Sequence, residues 1–300
     1  MRRLTRCFLG LCAGFLLLAA PAQTRAEEWT EEQALEAYHF VINNAIFIMF
    51  HEAGHMLVSE FNLPVLGREE DAVDALSSVL LLEADTVELD VAMQDAADGW
   101  FLTDDFRETD LDESDFFGTH GLDRQRAYQM VCMMTGHDPD YFDEFADSLD
   151  FPEDRREECA WEYQQTRESW FSLLAENMEE GAKTKMIVNY EPAGDPDLQF
   201  FADLLKQAEV LEMIETVFGT GYKLEDGIRL SGRACGEENA FWDPNAREII
   251  YCYELLAYHA GLIDEWFKSQ GEETATNDAD SASEIKTRLK GAAVQAGMGK

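Results

Sequence analysis

"IFIMFHEAGHMLVSEFNLPVLGREEDAVDALSSVLLLEAD", residues 46–85, sets ionisable side chains into two apolar helical patterns. His51, Glu52 and His55 stand in the middle of the first; Glu70, Asp71 and Asp74 open the second. Core helices carry such groups only where something satisfies them. A four-residue step puts His51 and His55 on one helical face. Two imidazoles there can hold one Zn²⁺ at about 2.0–2.1 Å. Glu52, between them, is turned away from joining them as a ligand and is placed to activate a water and take its proton. Ala53 and Gly54 are small and let another segment approach. The plain alternative is a pair of satisfied histidines on a partly buried helix.

A hydrolytic zinc site needs a third protein ligand and leaves a fourth position open. Glu70 follows His55 by fifteen residues and can reach the metal if the second helix packs on the first. Asp74, one turn on, can accept the remaining N–H of a ligand histidine and fix its tautomer. Asp71 is a rival ligand. An acidic first turn favoured by the helix dipole explains charge at 69–71, but not Asp74 beside an apolar stripe.

"HEAGH" followed by E-x-x-x-D (Glu70 to Asp74) resembles the gluzincin metallopeptidases. The resemblance implies Glu70 as third zinc ligand and Asp74 as the group that orients a histidine. "HEAGHMLVSEFNLPVLGREEDAVD", "HGLDRQRAYQMVC" and "CGEENAFWDPNAREIIYCYEL" are also similar to a bacterial family of metallopeptidases whose activity and substrate are not established. That likeness spans most of residues 40–265. Zincin folds commonly place an edge strand before the metal helix. Here the clearest hairpin pattern follows it, which points to a rearranged topology.

The wider chain sets the context. Its 300 residues are 46% hydrophobic and carry a formal net charge of −38. A core is affordable, while nucleic acid and anionic membrane surfaces are disfavoured partners. Arg2, Arg3 and Arg6, then "CFLGLCAGFLLLAA", then "AQTRA", read as a signal peptide over residues 1–26, too short for a span. The expectation is an exported protein, periplasmic or secreted, with no membrane anchor after cleavage. Cleavage removes four arginines and no acid, taking −38 to −42. Four cysteines then remain, Cys132, Cys159, Cys235 and Cys252. An even number in an exported chain suggests two disulfides. Of three connectivities, Cys132–Cys159 and Cys235–Cys252 each stay within a local unit; buried free thiols are the alternative.

Periodicity predicts helices over 31–61, with a break near Asn43–Asn44, and over 69–83. Others are expected at 84–98, from Leu122, after Pro152, and as one run from Asp195 to Gly219. "GIRLSGRAC" and "REIIYCYEL" read as a hairpin joined by "GEENAFWDPN", followed by a helix from Glu254 to Phe267. The fold class is therefore mainly α with a small β-hairpin or sheet (α+β), built on a zincin-like metal helix pair. The domain spans 27–269, and 270–300 reads as a disordered polar tail. The acidic segment 103–120 reads as a loop. Its "DLDESD" lacks the glycine and distal glutamate of an EF-hand. Phe116–Phe117 are expected in the core or in a substrate pocket, and Trp161, Trp170 and Phe171 in a helical core.

A peptidase must also stabilise an oxyanion. His120 is the first candidate for this catalytic role, with Asp115 five residues before it as a possible partner. Tyr128, Tyr251 and Tyr253 follow, and His39, His137 and His259 rank lower. Arg124 and Arg126 suit either the acidic segment or a substrate carboxylate. The reading is a zinc metallopeptidase acting on peptide or protein. The alternatives are a non-catalytic zinc-binding interaction protein and a zinc hydrolase of non-peptide amides.

Overall fold

The computed structural model describes residues 29–107 and 109–271. The signal-peptide reading of 1–26 lies outside them, as does most of the tail; residues 270 and 271 instead close the last helix. In chain order the elements are α1 (Glu31–Glu60), α2 (Glu69–Leu82), α3 (Val87–Asp105), α4 (Asp123–His137), α5 (Pro139–Ser148), α6 (Glu153–Leu174), β1 (Ile187–Tyr190), α7 (Pro196–Gln207), α8 (Val210–Gly221), β2 (Arg229–Arg233), β3 (Ala240–Asp243), β4 (Glu248–Cys252) and α9 (Tyr253–Gly271). The chain is mainly helical with one small sheet, as its patterning predicts.

Helix α1 is the axis, with α2, α3, α8, α9 and strands β3 and β4 packed round it. It starts at a capping box, in which Thr30 Oγ1 accepts from the Gln33 N–H and Gln33 returns the bond to the Thr30 N–H. The expected break at Asn43–Asn44 does not occur; the helix runs unbroken for 30 residues. Its two asparagines are satisfied from α3. Asn43 Nδ2 donates to Asp95 Oδ2 at 2.6 Å, and Asn44 Nδ2 donates to the Asp95 and Phe40 carbonyls at 3.0 and 2.9 Å. Gly99 makes this possible, since a Cβ there would stand 2.1 Å from Asn44 Oδ1. Packing thus overrides the weak helix propensity of asparagine.

Gly54 of α1 performs the same service toward α2. A Cβ at 54 would meet the Val73 Cβ at 2.9 Å, so α2 lies tightly against the face of α1 that carries the histidines. The run from Asp195 is two helices rather than one, divided at Glu209, which takes a left-handed φ of 53°. Helix α5, unforeseen from the pattern, is started by Asp138 as cap and Pro139.

The sheet has the order β1-β2-β4-β3. The two predicted strands are neighbours but run parallel, so they are not a hairpin. The antiparallel partner of β4 is β3, drawn from the segment read as a turn. All five β4 residues are buried, as a central strand covered on both faces requires. Both favoured disulfides form. Cys132–Cys159 joins α4 to α6, and Cys235–Cys252 ties the segment after β2 to the end of β4. No helix among the described residues is long and apolar enough to cross a membrane. Trp170 is buried, but Trp161 is 66% exposed and Phe117 77% exposed, so neither serves the core.

Asp95 and Asp98 sit where α3 meets α1. Burial pushes them up to about 6 and about 7, helped by the Glu36 charge at both and by the Asp95 charge at Asp98, although the Asn43 bond favours the Asp95 carboxylate. The folded state therefore binds their protons more tightly than the unfolded chain. Stability is lost as pH rises from about 4 through 7. Asp98→Asn is expected to stabilise the protein by about 1–2 kcal/mol at pH 8 and by nothing at pH 4, as chemical denaturation at the two pH values would show.

Candidate metal centre

The tight α1–α2 contact brings three donors together. His51 Nε2 and His55 Nε2 are 3.3 Å apart, and Glu70 Oε2 lies 3.2 Å from the first and 3.1 Å from the second. Three ligands held at about 2.0–2.1 Å on a tetrahedral ion stand about 3.3 Å from one another. The trio already has that spacing, and among the described residues it is the group of His and carboxylate donors close enough to share an ion. The other such group, Cys235, Cys252 and Glu254, has its sulfurs spent in a disulfide.

The outer nitrogens are engaged as well. His51 Nδ1 lies 2.7 Å from Asp74 Oδ1, and His55 Nδ1 lies 2.8 Å from Glu69 Oε1. A carboxylate accepts from Nδ1–H, which leaves the Nε2 lone pair free. Both lone pairs are thereby directed to the point that Glu70 also faces. Asp74 is itself held: Arg126 donates to it through Nε at 2.7 Å and Nη2 at 2.9 Å, with the guanidinium 3.7 Å above the Trp100 ring. A relay of Trp100, Arg126, Asp74 and His51 thus runs from α3 and α4 through α2 to α1.

The field favours positive charge. Burial works against a protonated His51, yet bonds to Asp74 and Glu70 raise its pKa to about 9. Glu70 is held far below the carboxylate range; burial opposes this, but His120, His51 and His55 outweigh it. Asp74 is likewise held low against burial by the Arg126 charge and by His51. These residues fit a small tetrahedral divalent cation in spacing, tautomer and charge. Glu52 lies beside them, its carboxylate 4.0 Å from His51 Nε2. Burial raises its pKa, an effect the two histidines partly offset, and the Trp242 backbone N–H donates to it.

The other candidates divide. His120 is half exposed, with Nε2 2.9 Å from Glu70 Oε2 and its ring stacked on His51 at 6.2 Å. Arg68 Nη1 holds its carbonyl at 3.1 Å. The expected Asp115–His120 pair does not form. Asp115 turns to Arg107 and to the Asp112 N–H, and Thr119 Oγ1 faces His120 Nδ1. Asp71 is exposed and outside the trio. Tyr251 is wholly buried, Tyr253 donates to the Glu191 and Gly232 carbonyls, and Tyr128 lines a separate cavity. Arg124 pairs with Asp104 and Asp105, whereas Arg126 serves Asp74. The roles of Glu69 and the Trp242 amide went unread in the sequence, where Arg126 suits the acidic segment or a substrate carboxylate rather than Asp74; the one available signal was that each candidate histidine needs an acceptor, and Glu69 was the nearest spare carboxylate.

Asp74→Asn or Glu69→Gln should free one imidazole to change tautomer. Each is expected to weaken metal affinity about 10–100-fold, read by competition with a chromophoric chelator, while Asp71→Asn leaves it unchanged.

The comparisons add a family. No curated protein and no solved structure matches the chain. A family model described as "Putative metallopeptidase" matches residues 11–174 and 190–286, most of the sequence and all of the centre just described. The chain belongs to that metallopeptidase family.

Proposed function

We propose that this protein is an exported zinc-dependent peptidase with a gluzincin-type ligand set, His51, His55 and Glu70. One observation carries the reading: two tautomer-fixed imidazoles and a carboxylate converge at tetrahedral spacing, with a buried glutamate one residue from a ligand. Bound there, a zinc ion would supply Lewis acidity toward a carbonyl and acidify a water.

The chain's own groups do the rest. Glu52 accepts a proton from the attacking water and delivers it to the leaving nitrogen as the C–N bond breaks. Its burial lifts its basicity toward that task, and the Trp242 N–H holds the carboxylate in place. His120 Nε2 borders the centre from the loop side and is the donor available to an oxyanion.

Strand β3 suits an extended peptide. It is the sheet edge, and its Trp242 N–H points away from β4 toward Glu52. By the two-residue period, the Ala240 and Trp242 carbonyls face the same side. Such an edge accepts one more strand through backbone bonds. This edge follows α1 in sequence. The two disulfides agree with an oxidising compartment.

The mature chain should carry about one Zn²⁺, lost on substituting His51 or His55 by Ala. Glu52→Gln should fold and keep its metal but lose roughly 10²–10⁴-fold in turnover on an unfolded protein or peptide library. A Glu52→Gln variant as active as the parent would overturn the assignment. A zinc-loaded parent inactive on every peptide would favour a binding protein.

A further inference from the structure

The cleft around the centre has a volume of about 940 Å³ and extends well beyond the trio. One end is bounded by Glu238, Asn239 and Pro244, before and after β3. The other reaches back along α1 to Ile48, one turn before His51, and to Trp100 and Thr103 of α3 and Leu255, Tyr258 and His259 of α9. This second end has a different chemistry. Apart from His259, each of these side chains is partly exposed, and none carries a formal charge. Tyr258 and Thr103 bond to each other at 3.2 Å, so α3 and α9 are joined at its wall.

His259 is 5% exposed, and its Nδ1 is buried without a hydrogen bond of good geometry. Burial pushes its pKa down to about 4, against a weak pull from the Leu255 carbonyl one turn earlier, so the ring is neutral near pH 7. Of the neighbouring cations, Arg126 is committed twice to Asp74 and lies over Trp100, and Arg107, which acts on Tyr258, pairs with Asp123. A carboxylate would find no free counter-ion there, and an ammonium only Glu238, an exposed side chain close enough to act on the Tyr258 hydroxyl, so burying either is costly. Aromatic walls instead reward a flat apolar side chain.

We propose that Ile48, Trp100, Leu255, Tyr258 and His259 form a specificity pocket for an uncharged aromatic side chain next to the bond to be cleaved. The pocket's place beside the reacting atoms rests on the peptidase reading; its chemistry does not. The pocket also gives a role to His259 and Tyr258, which the catalytic groups leave unused.

Two probes test this separately. p-Cresol needs no metal. In the mature chain it should shift the NMR signals of the Trp100 indole and the His259 ring, while n-butylamine and propionate should not. Failure of p-cresol to shift either signal would overturn the pocket whatever the metal centre does. Amino-acid hydroxamates add a metal-binding group. With zinc loaded, the phenylalanine hydroxamate should bind at least about 10-fold tighter than the alanine one, and the lysine and aspartate forms no tighter than alanine. Leu255→Trp, which fills the pocket, should erase the preference. Thr103→Asp should shift it toward lysine. Equal affinities for the phenylalanine and alanine forms would refute the pocket and leave the metal reading intact. Shifts by p-cresol with no hydroxamate bound would refute the metal reading and leave the pocket standing.

Discussion

The missing Cβ at position 54 is the constraint on which the centre depends. Gly54 lies between the two histidines, and its absent side chain is where Val73 of α2 sits. At that separation Glu70 and Asp74, one turn apart on α2, both reach α1: Glu70 faces the inner nitrogens and Asp74 an outer one. A methyl group at 54 would press on Val73 and part the helices. Both distances to Glu70 cross that interface, so they would lengthen together. The distances within a single helix are set by its pitch, while the distance to Glu70 is set by one atom that is not there.

The polar groups around this contact satisfy one another in series. His51 is buried and needs a partner for each ring nitrogen; Asp74 supplies one and is buried in turn. Arg126 neutralises Asp74, and Trp100 covers the guanidinium. Breaking a buried pair at any step leaves a charge uncompensated, at a cost of about 3–5 kcal/mol. The arrangement therefore ties the centre to α3 and α4, although neither supplies a donor to the trio. It also separates Arg126 from substrate, leaving the neighbouring end of the cleft without a free positive charge.

Much of this was legible in the sequence because it is local. The i, i+4 histidines, Glu70 and Asp74 one turn apart, and the Thr30 capping box are all set by helix period. The cysteine pairing followed from nearness in the chain. What was not legible depends on contacts between distant segments. Asn43 and Asn44 look like a helix break until Asp95 and Gly99 are placed against them. Arg126 looks like a partner of the acidic segment or of a substrate carboxylate until α4 crosses α2. "GEENAFWDPN" has the composition of a turn, yet its middle is β3, because β4 has an edge to pair and because Trp242 can bond to Glu52. Phe116 and Phe117 read as core by residue type and are exposed, a placement for which the fold gives no physical reason.

Burying the candidate centre in α1, the longest helix among the described residues, has a consequence for how its residues divide their work. A helix packed on all sides cannot adjust its backbone, so the two histidines and Glu52 keep fixed positions relative to one another. Adaptation must then come from what borders the cleft without being part of α1. The His120 loop lies on one side, fastened to α2 by Arg68. The β3 edge lies on another, fastened to β4 by pairing, while Cys235–Cys252 ties the segment before it to β4. The α3–α9 end is joined by side chains alone. Of the three, the side-chain wall can change shape most without disturbing backbone hydrogen bonds. A pocket that selects among substrate side chains gains most from being built there, while the rigid helix keeps the chemistry constant.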